Sequence, residues 1–144
     1  MATRDGTAEW HGDLRNGSGT ISVTSGLFEG GNYSFTSRFE EGPGSNPEEL
    51  IGAAHAGCFS MALSDILSEA GHAPQSVKTT AKVHLRNIDG QPTIARIDLV
   101  TEGQVPGIDQ QQFDRYASQA KEGCPVSRAL AGVDEVTLDA TLSG

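Results

Sequence analysis

The chain has 144 residues, enough for one domain with its own hydrophobic core. Its formal net charge of −9 argues against nucleic acid or an anionic membrane as a partner, since both are bound through basic surface. A hydrophobic content of 36% with 18 glycines points to a modest core and many loops, which a partner subunit would help to complete.

The opening residues Met1-Ala2-Thr3-Arg4-Asp5-Gly6 contain no apolar run, so no signal peptide is expected. No stretch reaches about 18 consecutive apolar residues, and the most apolar segment carries His55 and Asp65, so no membrane span is expected. A cytoplasmic location is expected. The two cysteines, Cys58 and Cys124, stand 66 positions apart without CxxC spacing. In a reducing compartment a purely structural disulfide is unusual, so the thiols there must be free, metal-bound or redox-active.

Residues 1–45 read as short strands and turns. Gly17 and Gly19 mark a bend before Thr20-Ile21-Ser22-Val23, and Gly30-Gly31-Asn32 marks a second turn. Tyr33, Phe35, Ser37 and Phe39 then alternate with Ser34, Thr36, Arg38 and Glu40, which predicts a strand with an aromatic face and a polar face bearing Arg38. Glu41 to Ser45 form a loop.

The next stretch, Asn46 to Gly71, organises the chain. Asn46 is a suitable N-cap, Pro47 fits the first helical position, and Glu49 completes a capping-box pattern. Gly71 and Pro74 supply the stop. Roughly 24 residues of helix, about 36 Å, lie between them. The first half has almost no polar face, which predicts burial on several sides. Gly52 with Ala56 and Ala53 with Gly57 place small residues one turn apart, suited to close approach by another element of the same chain or by the matching helix of a second copy.

After Pro74, Val77 to Leu85 and Ala95 to Leu99 alternate in polarity around Asp89-Gly90, the pattern of a hairpin. Asp109 with Gln112 begins a second helix that ends at Gly123. Cys124-Pro125 opens a short third helix through Leu130, and Val136 to Leu142 form a last strand. No internal repeat or low-complexity tract interrupts the order, which is that of a single α+β domain, residues 1–144, with antiparallel sheets around a long central helix.

Two thiols and their neighbours are the candidates for chemistry. The apolar neighbours of Cys58 favour simple packing, because a buried thiol without a cation is inert. Cys124 stands at a helix start, where N–H groups and the helix dipole stabilise a thiolate, although a capping role is equally consistent. His55, three residues before Cys58, could serve as the base of a cysteine hydrolase or as a metal ligand. The remaining Cys124, His11, His72 and His84 form no spaced zinc cluster. Glu48 by itself complements a helix dipole, and Arg38 by itself is an ordinary surface arginine.

Taken together, these residues resemble the OsmC peroxidases of the OsmC/Ohr superfamily. The run Asn46-Pro47-Glu48-Glu49-Leu50-Ile51-Gly52-Ala53-Ala54-His55-Ala56-Gly57-Cys58-Phe59-Ser60-Met61-Ala62 is similar to that family's long signature. Gly123-Cys124-Pro125-Val126-Ser127 resembles its second cysteine motif, and Ser37-Arg38-Phe39-Glu40 its arginine strand. The resemblance implies an OsmC/Ohr-like fold and an intertwined homodimer with two sites near the interface. It also implies a thiol-dependent peroxidase that acts on organic hydroperoxides, and more weakly on hydrogen peroxide, in oxidative or osmotic stress defence. Cys58 would be the peroxidatic cysteine, Cys124 the resolving one, Arg38 the cation beside the Cys58 thiolate, and Glu48 the group orienting that arginine. Oxidation would produce a sulfenic acid and then an intramolecular disulfide. No metal or other cofactor is implied, only an external thiol or a dithiol such as a lipoyl group. The alternative from another class is a non-catalytic redox sensor or stress-binding protein that oxidises once.

Overall fold

The computed structural model of the chain describes residues 2–143, and the backbone gathers into two compact units that divide between Leu50 and Ile51. In the first unit, β1 (Gly6–His11), β2 (Ser18–Val23) and β3 (Gly31–Tyr33) form an antiparallel sheet in that order. Gly19 lies within β2 rather than at a bend. A Cβ there would stand 2.5 Å from Tyr33 and 2.7 Å from Trp10, so the missing side chain lets those two rings pack at 5.3 Å across the sheet. Of the expected second turn, only Gly30 (φ +62°) turns the chain; Gly31 and Asn32 already belong to β3.

The segment carrying Arg38 departs from expectation. The strand ends at Tyr33, and Phe35–Phe39 form a short helix, α1. Ser34 accepts the Ser37 N–H at 3.2 Å, and Ser37 Oγ accepts the Ser34 N–H at 2.8 Å, a reciprocal cap that commits the backbone to a helix. Phe35 and Phe39 are four residues apart, a spacing shared by one face of a strand and one face of a helix, and their rings meet at 5.0 Å.

The long helix α2 (Pro47–Glu69) forms as its caps predict. Asn46 Oδ1 accepts the Glu49 N–H at 2.8 Å, while the Glu49 carboxylate is taken by Ser45 Oγ at 2.8 Å instead of closing the expected box. In the second unit, Gly52, His55, Phe59, Leu63 and Leu67 make one buried stripe along it. Phe59, Leu63 and Leu67 join Leu99, Val105, Phe113, Ala117 and Ala120 in the core. Gly52 fits against the Ala81 carbonyl, which a Cβ would meet at 3.0 Å. Ala53, Ala54 and Gly57 are exposed, as is Met61 at 77%, so burial on several sides is met on one side within this chain. By length and composition α2 matches a bilayer span, but its Phe59–Leu63–Leu67 edge is wholly enclosed by the chain's own core.

That core rests on a sheet of β4 (Ser76–Ile88), β5 (Gln91–Gln104) and β6 (Glu135–Leu142). β4 and β5 are the expected antiparallel hairpin, with Asp89 (φ +52°) and Gly90 (φ +84°) in a turn whose twist suits it. β6 runs parallel to β5, unlike the antiparallel pairing expected. The chain returns to the same end of the sheet through α3 (Gln110–Gly123) and α4 (Pro125–Ala129), and a helical crossover of that length produces a parallel neighbour. α3 begins on the predicted box, with Asp109 and Gln112 exchanging hydrogen bonds of 2.8 and 3.0 Å.

On this sheet Asp98 ties all three strands together. Its carboxylate accepts from Thr137 at 2.6 Å, Arg96 at 2.7 Å and His84 at 2.8 Å. The Thr137 hydroxyl foremost, and then the Arg96 guanidinium, hold its carboxyl well below the usual carboxylate range. A depressed carboxyl adds stability above its unfolded value near ~3.9 and loses it as pH falls toward the folded one. Asp98→Asn is therefore expected to lower the urea midpoint at neutral pH, with the gap to wild type narrowing as pH drops below about 4. An equal gap at pH 7 and pH 2.5 would contradict that origin.

Candidate active site

In the first unit, Arg38 on α1 meets Glu48 in the first turn of α2. Arg38 Nε donates to the two Glu48 oxygens at 3.1 and 3.3 Å, and Nη2 donates to Oε1 at 2.8 Å, so the guanidinium is held as a fork. Glu48 is 6% exposed and lies where the free N–H groups of a helix start favour an acid. The Arg38 side chain is 36% exposed and edges a cavity of about 430 Å³ lined by Trp10, Leu14, Tyr33, Phe35 and Phe39. Its guanidinium also lies 5.3 Å from the Phe39 ring centroid. Its carrier is thus a helix, yet the pairing with Glu48 is the one the resemblance implied.

In the second unit, Cys58 on α2 and Cys124 at the start of α4 are both free thiols, and each lies near enough to shift the other's ionisation. Cys58 is half-buried and opens onto a groove of about 860 Å³, lined also by Met61, Ala62, Ile66 and Pro125. Cys124 is fully buried. It caps α4 with sulfur, accepting the Ser127 N–H at 3.3 Å and standing 3.3 Å from Ser127 Oγ. Ser127 Oγ in turn is 2.7 Å from Nε2 of the fully buried His55. His55 is therefore bonded to Ser127 rather than forming the hydrolase dyad with Cys58 that sequence spacing allowed. Among the described residues, no group of three or more His, Cys, Asp or Glu side chains gathers as metal ligands.

The two sulfurs are held differently. Burial pushes the Cys58 thiol up, and its contact with Cys124 adds to this, against the Val126 N–H and the Arg128 charge, which lower it. Burial also opposes ionisation of Cys124, but the Ser127 hydroxyl and N–H, the Cys58 thiol and the Val126 N–H outweigh it, and that thiol lies below its ordinary value. The two thiols are thus pushed in opposite directions, Cys58 up and Cys124 down, the latter as donors at a helix start favour.

Residues 40–139 match the family model described as OsmC-like protein. The chain belongs to the OsmC family. It is 52% identical over 136 residues to peroxiredoxin OsmC of Escherichia coli (strain K12), covering 94% of each protein. It is also 32% identical over 102 residues to organic hydroperoxide resistance protein-like 2 of Staphylococcus epidermidis (strain ATCC 35984), covering 69% of this chain and 70% of that one. The fold resembles the crystal structure of an organic hydroperoxide resistance protein from Elizabethkingia anophelis, with a TM-score of 0.75 and 25% identity over 99% of this chain and 98% of that chain.

Three contributors to this OsmC-family site were not singled out from the sequence in these roles: Ser127, Arg128 and His55 as the partner of Ser127. Ser127 carries a readable signal, since it stands at the third helical position after Cys124, where an N-cap finds its N–H partner. His55 and Ser127 are 72 positions apart, and nothing local announces their contact.

Burial also lowers the pKa of His55 from the ordinary value of 6.5. A base whose folded pKa is depressed removes stability as pH falls through its unfolded value. The His55 ring is thus expected to titrate below 6.5 in an NMR titration of the folded chain. A midpoint at or above 6.5 would contradict the buried assignment.

Proposed function

We propose that this chain is a thiol-dependent peroxidase that reduces organic hydroperoxides to alcohols through a sulfenic acid and an intramolecular disulfide. The observation that carries this reading is the pairing of two reduced sulfurs of unequal access, Cys58 on an open groove and Cys124 behind it. A peroxide can reach only the first. Its 52% identity over 94% of peroxiredoxin OsmC supports the same class of chemistry.

In the proposed cycle the Cys58 thiolate attacks the outer peroxide oxygen, forming an S–O bond as the O–O bond breaks and an alcohol departs. Before attack, Cys58 gives up its proton, and the neighbouring Cys124 sulfur, when ionised, is the acceptor at hand. Arg38 favours charge on Cys58 and on the departing alkoxide, and Glu48 holds the guanidinium fork in place. Cys124 then attacks the Cys58 sulfenic sulfur, an S–S bond forms and water leaves. An external dithiol, such as a lipoyl group, or a small thiol restores both thiols by exchange. The cycle runs on sulfur without metal, haem or flavin. The apolar groove beside Cys58 favours an organic substituent over bare hydrogen peroxide, which reacts more weakly.

The proposed assembly is an intertwined homodimer. The exposed Ala53, Ala54, Gly57 and Met61 give α2 a small, apolar outer face against which the same helix of a second copy can pack. Two sites would then lie near the interface, and Arg38 would stand beside a Cys58 thiolate. Residues 1–144 form one OsmC-like domain in this reading, since the family match begins inside the first unit and continues through most of the second. The proposed location is the cytoplasm, a reducing compartment in which redox-active rather than structural cysteines are expected.

Consumption of cumene hydroperoxide with dihydrolipoamide tests the proposal. Wild type is expected to turn over many times. Cys58→Ser should fall to background, Cys124→Ser should lose sustained turnover, and Arg38→Ala should slow Cys58 oxidation by about 10²-fold or more. A single oxidation per subunit without turnover would instead identify a redox sensor. Full activity in Cys58→Ser would overturn the assignment of the nucleophile.

A further inference from the structure

The His55–Ser127 pair has no place in the cycle above, yet it ends on a reacting sulfur. His55 is fully buried, and its Nδ1 is the one buried side-chain polar atom without a hydrogen-bond partner among the described residues. Its Nε2 is 2.7 Å from Ser127 Oγ, and Ser127 Oγ is 3.3 Å from Cys124 Sγ. An imidazole of this kind has two neutral forms. With the proton on Nδ1, a buried N–H would lack an acceptor. With the proton on Nε2, only a lone pair is left unmatched, and orphaned buried N–H groups are the rarer of the two in folded proteins. The second form makes Nε2 the donor to Ser127 Oγ. The Ser127 hydroxyl proton must then point elsewhere, and the Cys124 sulfur stands within reach.

We infer that His55, protonated on Nε2, orients the Ser127 hydroxyl so that Ser127 donates to Cys124 and assists its attack on oxidised Cys58. Ser127 touches the reacting sulfur and is a catalytic residue in this scheme; His55 acts through it and is a positioning residue. The inference rests on the peroxidase reading for the step it serves, but the geometry does not. In that step the Cys124 thiolate supplies the electron pair of the new S–S bond, and the S–O bond of the Cys58 sulfenic acid breaks. Hydroxide leaves and takes a proton from solvent in the groove to become water. Cys58 sulfur is reduced and Cys124 sulfur is oxidised by the same electron pair. In the neutral thiol the 3.3 Å contact has Cys124 Sγ donating to Ser127 Oγ; once ionised the sulfur can only accept, and the Ser127 O–H then joins the Ser127 N–H in stabilising the thiolate. The other groups facing that sulfur are the Cys58 thiol from α2 and the Val126 N–H from α4, while the Arg128 charge on α4 acts on Cys58.

Two measurements test this without peroxide turnover. In the unmodified chain, ¹⁵N NMR of His55 should show the Nε2–H form; the Nδ1–H form would overturn the inference. In a Cys58→Ser background, thiolate absorbance should report the titration of Cys124. Ser127→Ala is expected to raise its midpoint by about one pH unit or more, a tenfold loss of thiolate below the midpoint. His55→Leu should shift it in the same direction, and His55→Gln, whose amide can still donate to Ser127, should recover much of the shift. Unchanged midpoints in Ser127→Ala and His55→Leu would overturn it. A third readout depends on the peroxidase reading: under excess cumene hydroperoxide, Ser127→Ala should divert Cys58 from disulfide toward sulfinic acid about tenfold more than wild type. If wild type consumes no hydroperoxide, the peroxidase reading fails, while the tautomer and the Cys124 midpoint still decide the role of Ser127.

Discussion

A sulfur stands where a helix start ordinarily has an oxygen. Cys124 caps α4 and takes the Ser127 N–H at 3.3 Å, and this weak, long hydrogen bond becomes strong only when the sulfur is ionised. The cap therefore couples local folding to charge. The Cys58 thiol on α2 also helps to lower the pKa of this sulfur. α2 can present Cys58 there because its buried stripe, from His55 to Leu67, is fixed against the core. The same stripe buries His55 beside Ser127. One sulfur-capped turn thus gathers four side chains from two helices, and the proposed chemistry depends on it.

The unequal placement of the two thiols resolves an apparent conflict. The thiol whose pKa is lowered is Cys124, which is fully buried; Cys58 faces the groove but has its pKa raised by burial. A nucleophile needs both access and charge. In the proposed cycle the proximity of the two thiols allows the charge to pass to the accessible one, with a cation to hold it there. Arg38 is the proposed cation. Its guanidinium is fixed by Glu48, whose own burial is tolerable because the pair is bidentate and the helix start is electropositive.

Much of this was legible in the sequence because it is written locally. The caps Asn46 and Asp109, the Asp89-Gly90 turn and the alternation of Val77 to Leu85 each fix an element through residues a few positions apart. The helix at Phe35–Phe39 was missed because aromatics four apart satisfy both periods, and the Ser34–Ser37 box decided between them. The parallel direction of β6 was missed because side-chain alternation is the same in either direction; only the path through α3 and α4 sets it. Cys58 shows the limit most clearly. Its neighbours predicted packing, and it is indeed half-buried, but its relation to Cys124 lies 66 positions away in the chain and entered the sequence reading only as a family resemblance. His55 and Ser127 had no such help.

The central claim is that Cys58 and Cys124 of one chain form a redox pair in which Cys58 takes the oxygen and Cys124 resolves it. One equivalent of cumene hydroperoxide added to the fully reduced protein, followed by non-reducing peptide mapping by mass spectrometry, tests it most directly. The account predicts a single disulfide-linked peptide pair containing Cys58 and Cys124, in a product that migrates as one chain under denaturing conditions, and a trapped sulfenic acid on Cys58 in the Cys124→Ser variant. Oxygen found on Cys124 while Cys58 remains a thiol, or disulfides that only join separate chains, would contradict it.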